Sequence, residues 1–423
     1  SALANVIFGN GLISLGDNAF ASTDLVTVTL PDSVTSIGVN AFYLCAKLTT
    51  VNLGSGLTTL ANAFGSCSAL AAINVNESNE NYFSYDEILY DKLANTLLLC
   101  PVAKSGAVTV PEGIVSLPDK AFYNCKLITS VIISDSVTSI GDQAFYGSTA
   151  LENVTLGNSV TSIGNSAFKN NKKITEIILP DSVTTIGTEA FSSCSTLVSV
   201  VFGSGIISIS EKAFASTALV TVTLPDSVTS IDSMAFYFCT KLTTVNIGIG
   251  LTTLAADAFG SCDALAEINV SDENTQYFSA DGILYDEVAK TLVLCPVAKA
   301  GTVTVPEGII SLPNRAFNGC KQITSIIIAD SVTSIGNEIF RLCSALTSVV
   351  IGSGVETIGS NIFNGATVIA AIYYKGDATA WAAITIGDLN DTLNTVARYY
   401  YSETEPVGEG DYWYYLEGVP TVW

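Results

Sequence analysis

The chain has 423 residues, with 39 acidic against 17 basic side chains, no histidine and a net charge of −22. That charge repels phosphate backbones and anionic lipids, so no nucleic acid partner is expected, and without an imidazole the Ser-His-Asp and Cys-His routes to an activated nucleophile are closed. No apolar run reaches the roughly 18 to 20 residues of a membrane span, so no membrane insertion is expected either. The chain opens at Ser1 directly on a repeat-like strand with no signal-peptide pattern ahead of it, as a trimmed chain does.

From Phe20 onward a phenylalanine, usually after alanine, returns every 22 or 23 residues: Phe20, Phe42, Phe64, then Phe122, Phe145, Phe168, Phe191, Phe214, Phe236, Phe259, then Phe317, Phe340 and Phe363. Two intervals, Phe64 to Phe122 and Phe259 to Phe317, are 58 residues long. A unit of this size cannot bury its own apolar face and does so against its neighbours, which predicts a solenoid. In one unit Leu25, Val28 and Leu30 point inward from a short strand, while Thr27 and Thr29 point out. Pro31 closes the strand, Asp32 and Ser33 suit an Asx-type turn onto the following backbone, and Val34 and Ile37 belong to a second short strand. Gly38 to Cys45 reads as one helical or 3₁₀ turn packing Phe42 between layers. Gly38, Gly141, Gly164, Gly187, Gly336 and Gly359 share a position with Pro118 and Pro313. Proline cannot adopt positive φ, so small size at a tight entry is the expected reason for glycine.

A longer period overlies the short one. Leu25 to Ile37 recurs letter for letter at Leu219 to Ile231, and Cys100 to Lys104 recurs at Cys295 to Lys299, so a block of coils carrying one insertion is duplicated. Each insertion, near residues 76–105 and 271–300, reads as a β-hairpin: Glu87 to Tyr90 and Leu97 to Cys100 flank the first turn, Ile283 to Tyr285 and Leu292 to Leu294 the second.

The pattern Ile-Gly-x-x-Ala-Phe-x-x-Cys with Leu-Pro-Asp-Ser-Val-Thr-Ser-Ile resembles the bacterial BspA-like leucine-rich repeat surface proteins over residues 1 to about 370. The resemblance implies a leucine-rich repeat solenoid, β-rich with short helical or 3₁₀ turns and curved as a right-handed superhelix. It also implies a place on or outside the cell, in adhesion or in host and matrix binding, with no catalytic residue.

Eight of the ten cysteines, Cys45, Cys67, Cys125, Cys194, Cys239, Cys262, Cys320 and Cys343, stand three residues after the Phe, where other units carry Thr23, Ser148, Asn171, Thr217 or Ala366. Interchange with small residues predicts a packing slot for buried thiols; disulfides between adjacent slots are the other reading. With no close Cys pair and no histidine, no metal or cofactor is expected. Asp32, Asp135, Asp181, Asp226 and Asp330 share one turn position and read as structural; calcium along Glu112, Asp135, Asn158 and Asp181 is the minor alternative.

The outward strand residues form the expected binding surface. Asn153 and Glu176 lie there, and Ile132, Ile178 and Val201 make an apolar strip among mostly short polar neighbours. Tyr85, Tyr90 and Tyr285 on the hairpins join them as candidates. Residues 371–423 hold every tryptophan, Trp413 among them; they read as a cap over the open core, or as stacking planes for a ligand. Together these point to a non-catalytic, extracellular or cell-surface monomer binding a protein or glycan. A spacer holding another module off the envelope is the alternative, and a carbohydrate-active enzyme the remote one.

Overall fold

The structure, a computed structural model, describes residues 2–406 and 410–423. It divides into two compact units, Ser1–Leu219 with Ser230–Cys239 and Asp257–Gly260, and Val220–Thr229 with Thr240–Ala256 and Ser261–Trp423. Both are β-solenoids of short parallel strands, in keeping with the expected leucine-rich repeat class.

In the first unit a coil begins with a strand such as Thr27–Thr29, where Val28 is buried and the threonines are exposed. It pairs in parallel with Thr50–Leu53, which pairs with Ala72–Val75. The second strand is only two residues long; Ser14–Leu15, Ser36–Ile37 and Thr59–Leu60 form its ladder. Leu25, Val28, Leu30, Val34, Ile37, Ala41, Phe42, Cys45 and Leu48 close the core, each 3% exposed or less. The rings stack: Phe122, Phe145, Phe168 and Phe191 follow one another at 4.7, 4.9 and 5.1 Å with planes within 6°. In the second unit Phe317, Phe340 and Phe363 continue the same arrangement at 5.9 and 5.4 Å.

The segment around the phenylalanine is a run of β-turns, and among the described residues of the repeats none is helical or 3₁₀. Asn40 and Leu44, two residues either side of Phe42, have φ of 57° and 58°. A left-handed residue at those points breaks any right-handed turn and aims the N–H groups along the solenoid axis. Asn40, Phe42 and Leu44 thus donate to the carbonyls of Asn62, Ala63 and Gly65 one coil on, at 2.9, 2.9 and 3.0 Å. The glycine at the entry does not take positive φ. A Cβ at Gly141 would lie 2.5 Å from the Asp119 amide nitrogen and one at Gly164 2.6 Å from that of Asp142, so close approach of the preceding coil selects it.

Each insertion is a three-stranded antiparallel meander, one strand more than a hairpin. In the first unit Tyr82–Tyr85, Ile88–Asp91 and Thr96–Leu99 pair in order, and Thr96 then joins the short-strand ladder beside Ser116. In the second, Tyr277–Ala280, Ile283–Asp286 and Thr291–Leu294 do the same, ending against Ser311. Buried Asn79 ties the first meander down. Its Nδ2 donates to the Gly54 and Leu57 carbonyls at 3.0 and 3.1 Å, and its Oδ1 accepts from the amides of Asn81 and Tyr82 at 2.9 and 2.8 Å.

Parallel coils run on past residue 370. Ala371–Tyr374 pairs with Ser348–Ile351 and then with Ala397–Tyr401. A helix, Ala378–Ala383, capped by Asp377, packs Trp381 over the core end. The strands Tyr412–Leu416 and Val419–Val422 close the sheet antiparallel.

Candidate functional site

The outward strand rows are ordered side by side by the coil register. In the first unit Thr29, Asn52 and Asn74 stand in one row. Asn52 Nδ2 donates to Thr29 Oγ1 at 2.9 Å, and Asn74 Nδ2 to Asn52 Oδ1 at 2.9 Å. Asn76 Nδ2 reaches Asp32 Oδ1 at 3.3 Å beside them. These side chains, with Asn10 and Ser33, line an open groove of about 590 Å³. The second unit carries the same ladder: Asn246 Nδ2 donates to Thr223 Oγ1 at 3.0 Å and Asn269 Nδ2 to Asn246 Oδ1 at 3.1 Å. An amide has two N–H donors and a two-lone-pair acceptor, and the ladder uses one donor of each, so fixed hydrogen-bonding groups remain toward solvent.

Farther along the first unit, Asn153 pairs with Ser130 and Thr155 with Ile132, and Glu176 and Ile178 pair with Ser199 and Val201. Ile132, Ile178 and Val201 are 51, 60 and 48% exposed, and Asn153 and Glu176 are exposed as well. Tyr85 is exposed at the end of its strand. Tyr90, Tyr285 and Trp413, read from sequence as binding residues, are instead fully buried. Each tyrosine sits on the middle strand of a meander, with Tyr90 stacked on Phe83 at 5.1 Å and Tyr285 on Phe278 at 5.2 Å. Burial pushes both hydroxyls well above the usual phenol range. Trp413 donates its Nε1–H to the Tyr374 carbonyl at 3.0 Å, with the rings of Tyr373, Tyr401 and Tyr415 packed edge-on. These three hold the fold and offer no surface to a partner.

The turn aspartates bond the next coil rather than their own turn. Asp32, Asp135, Asp181 and Asp330 accept from the amides of Ser55, Asn158, Ser204 and Ser353 at 2.7, 2.7, 2.8 and 2.8 Å. Those amide donors hold the carboxyls of Asp32 and Asp181 below the usual carboxylate value. A carboxylate so engaged is a backbone clamp, and among the described residues no three Cys, Asp or Glu side chains converge as metal ligands.

The cysteine position is a donor slot as well as a packing one. Cys45, Cys67 and Cys194 point their thiols at the carbonyls of Phe20, Phe42 and Phe168, the phenylalanine one coil back, at 3.1, 3.0 and 3.0 Å. Ser148 and Asn171 fill the slot the same way, donating to Phe122 and Phe145 at 2.8 and 2.9 Å. All ten cysteines are buried, with no disulfide among the described residues, and burial pushes the Cys194 thiol up to about 12.

The sequence matches the family described as BspA type leucine-rich repeat region over residues 1–91, 103–217, 161–280 and 297–382. The chain belongs to the BspA-type leucine-rich repeat family. No curated protein matches it. Among solved structures, a leucine-rich repeat protein from Bacteroides ovatus superposes with a TM-score of 0.64 at 22% identity, covering 86% of this chain and 92% of that one. A leucine-rich cell surface protein from Faecalibacterium prausnitzii gives 0.43 at 22% identity, covering 72% and 96%. The pneumococcal vaccine antigen PcpA gives 0.41 at 19% identity, covering 76% of each chain. At these identities the BspA-type chain and the B. ovatus protein share a fold, and a fold of this kind does not specify what is bound.

Proposed function

We propose that this BspA-type chain is a non-catalytic, extracellular or cell-surface adhesion protein that binds a protein or glycan on its outward strand rows. The observation that carries this reading is the Thr29–Asn52–Asn74 ladder and its counterpart Thr223–Asn246–Asn269. Rigid, pre-ordered amides on a sheet lose little entropy on meeting a polar ligand, which is how many weak contacts sum to useful affinity. The strip of Ile132, Ile178 and Val201 adds exposed apolar surface in the first unit. Its partner is captured from outside, since membership of a bacterial surface-type repeat family supports that location. Catalysis is disfavoured by the absence of histidine and by turn carboxylates committed to backbone amides. A glycosidase needs two free carboxyls facing one another across a cleft.

Binding profiles against immobilised glycans, matrix proteins and host-cell surfaces test the reading. A specific ligand is expected, with affinity falling at least about tenfold, or about 1.4 kcal/mol, in a variant with Asn52, Asn74, Asn246 and Asn269 all changed to alanine. No specific ligand, together with unchanged adhesion after deletion, overturns it. The short Thr27, Thr50, Thr221 and Thr244 side chains of the same rows favour a spacer as the second reading. A spacer predicts that shuffling the exposed strand residues leaves function intact.

A further inference from the structure

In the regular coils the slot cysteine donates to the phenylalanine carbonyl of the coil before it. Cys125 and Cys320 follow an insertion, and there the slot thiol meets a second sulfur. The Cys125 and Cys100 sulfurs lie 3.8 Å apart in the first unit, and those of Cys320 and Cys295 lie 3.6 Å apart in the second. Cys100 and Cys295 are the two cysteines outside the slot. Each directly follows the third strand of its meander, in the repeated run Cys-Pro-Val-Ala-Lys.

We propose that Cys100–Cys125 and Cys295–Cys320 are oxidation sites that close to two disulfides, each fastening an inserted meander to the coil that follows it. The separation must shrink by about 1.6 to 1.8 Å to reach a sulfur–sulfur bond of about 2.05 Å. Each pair joins a strand end to a turn, so the two side chains are not parallel neighbours in one stack, the arrangement in which the bond's torsion is hard to satisfy. In the first unit a cleft of about 410 Å³, lined by Phe64, Leu99, Pro101 and Tyr123, reaches both Cys100 and Cys125 and gives an oxidant a way in.

The oxidant is a small-molecule disulfide. One thiol of the pair loses its proton and attacks that disulfide, releasing one small thiol and leaving a mixed disulfide. The second cysteine then displaces the other small thiol. Two S–H bonds and one S–S bond break, one protein S–S bond forms, and the two electrons and two protons leave with the two released thiols. Burial, then the neighbouring thiol, raises Cys100 well above the ordinary thiol value, so closure accelerates with rising pH.

The test incubates the folded full chain, first reduced, with oxidised glutathione, then alkylates remaining thiols and maps tryptic peptides by mass. The expected result is a mass lower by about 2 Da for each bond formed, with Cys100 linked to Cys125, Cys295 linked to Cys320 and the other six cysteines alkylated. Cys100→Ser should abolish the first link and leave the second, and Cys295→Ser the converse. Closure should also raise the thermal midpoint of the parent chain, reversibly with dithiothreitol. Ten alkylated cysteines after prolonged oxidation at pH 8.5, or links scattered among slot cysteines, overturn the proposal. Mapping of the unmutated chain decides it even if a serine variant does not fold.

Discussion

The two inserted meanders are copies of one element that have diverged along their exposed positions, most tellingly at the first turn. In the first, Asp86 and Glu87 occupy the turn with φ of 54° and 61°; in the second, Asp281 and Gly282 do so with 52° and 72°. A glutamate held left-handed costs roughly 1 to 2 kcal/mol that glycine does not. Glu87 offsets the strain by reaching the Lys104 ammonium at 2.8 Å, while Asp86 holds the same nitrogen at 2.9 Å. Among the described residues Lys299, the counterpart, pairs with Asp281 alone, at 2.7 Å. Everything facing the core is retained: Asn79 and Asn274, Tyr82 and Tyr277, Tyr90 and Tyr285, Cys100 and Cys295. Divergence after the duplication is thus tolerated where solvent reaches, and the buried anchors of the meander are not free to follow.

An ordinary coil is the reference for both meanders. Phe191, at the centre of the first unit's ring column and fully buried, should cost about 3 to 5 kcal/mol as Phe191→Ala in urea unfolding. A loss below about 1 kcal/mol would mean that the column does not hold the coils together. Asn79→Ala comes next, at about 2 to 4 kcal/mol, because it strands the Gly54 and Leu57 carbonyls and the Tyr82 amide, all in buried bonds. Asn274→Ala should match it, since that side chain donates to Gly248 and Leu251 and accepts from Gln276 and Tyr277 in the same way. Unequal losses would show that the meanders differ below the surface too.

The lysines separate the copies. Lys104→Met should cost about 1 to 2 kcal/mol, and Lys299→Met less than about 1; equal values would deny Glu87 its role. Acid should act through the coils. The amides of Ser55 and Ser204 hold the Asp32 and Asp181 carboxyls below the usual carboxylate value. Their contribution is therefore complete above that value and fades as pH falls through the lower folded one. The thermal midpoint should stay flat from about pH 7 to 5, then decline below about pH 4, with a shallower decline in Asp32→Asn/Asp181→Asn, whose amide oxygens still accept the bond. The smallest effect is expected for Tyr90→Phe and Tyr285→Phe. Among the described residues neither buried hydroxyl has a hydrogen-bond partner, so removal should be neutral or stabilise by up to about 1 kcal/mol.

The period, the ring column and the reason for the entry glycine are legible in the sequence, because each is imposed on many coils at once. The donor role of the cysteine slot has a signal too: Thr23, Ser148, Asn171 and Thr217 all carry a proton to donate, and only Ala366 does not. Positive φ beside the phenylalanine has none, since Asn, Leu, Gln, Glu, Lys and Met all occupy those places; contacts between coils override the local preference. Asp32 and its row are polar turn residues on any local reading, and only the neighbouring coil shows where the carboxylate points. Tyr90 and Tyr285 defeat pattern reading because Ile88-Leu89-Tyr90 is buried on both faces, and a strand covered on both sides loses its alternation. Of the proposed face, Ile132, Asn153, Glu176, Ile178 and Val201 are where alternation puts them. The asparagine ladder needed the register between coils.

That face exists only if successive coils bond one another in register, which native-state hydrogen exchange followed residue by residue measures. Slow exchange should recur every 23 residues at the amides of Phe122, Phe145, Phe168 and Phe191, whose donors are buried in bonds to the next coil. Fast exchange at those phenylalanines, or protection without that period, would contradict the stacked coils and remove the surface on which ligand binding is proposed.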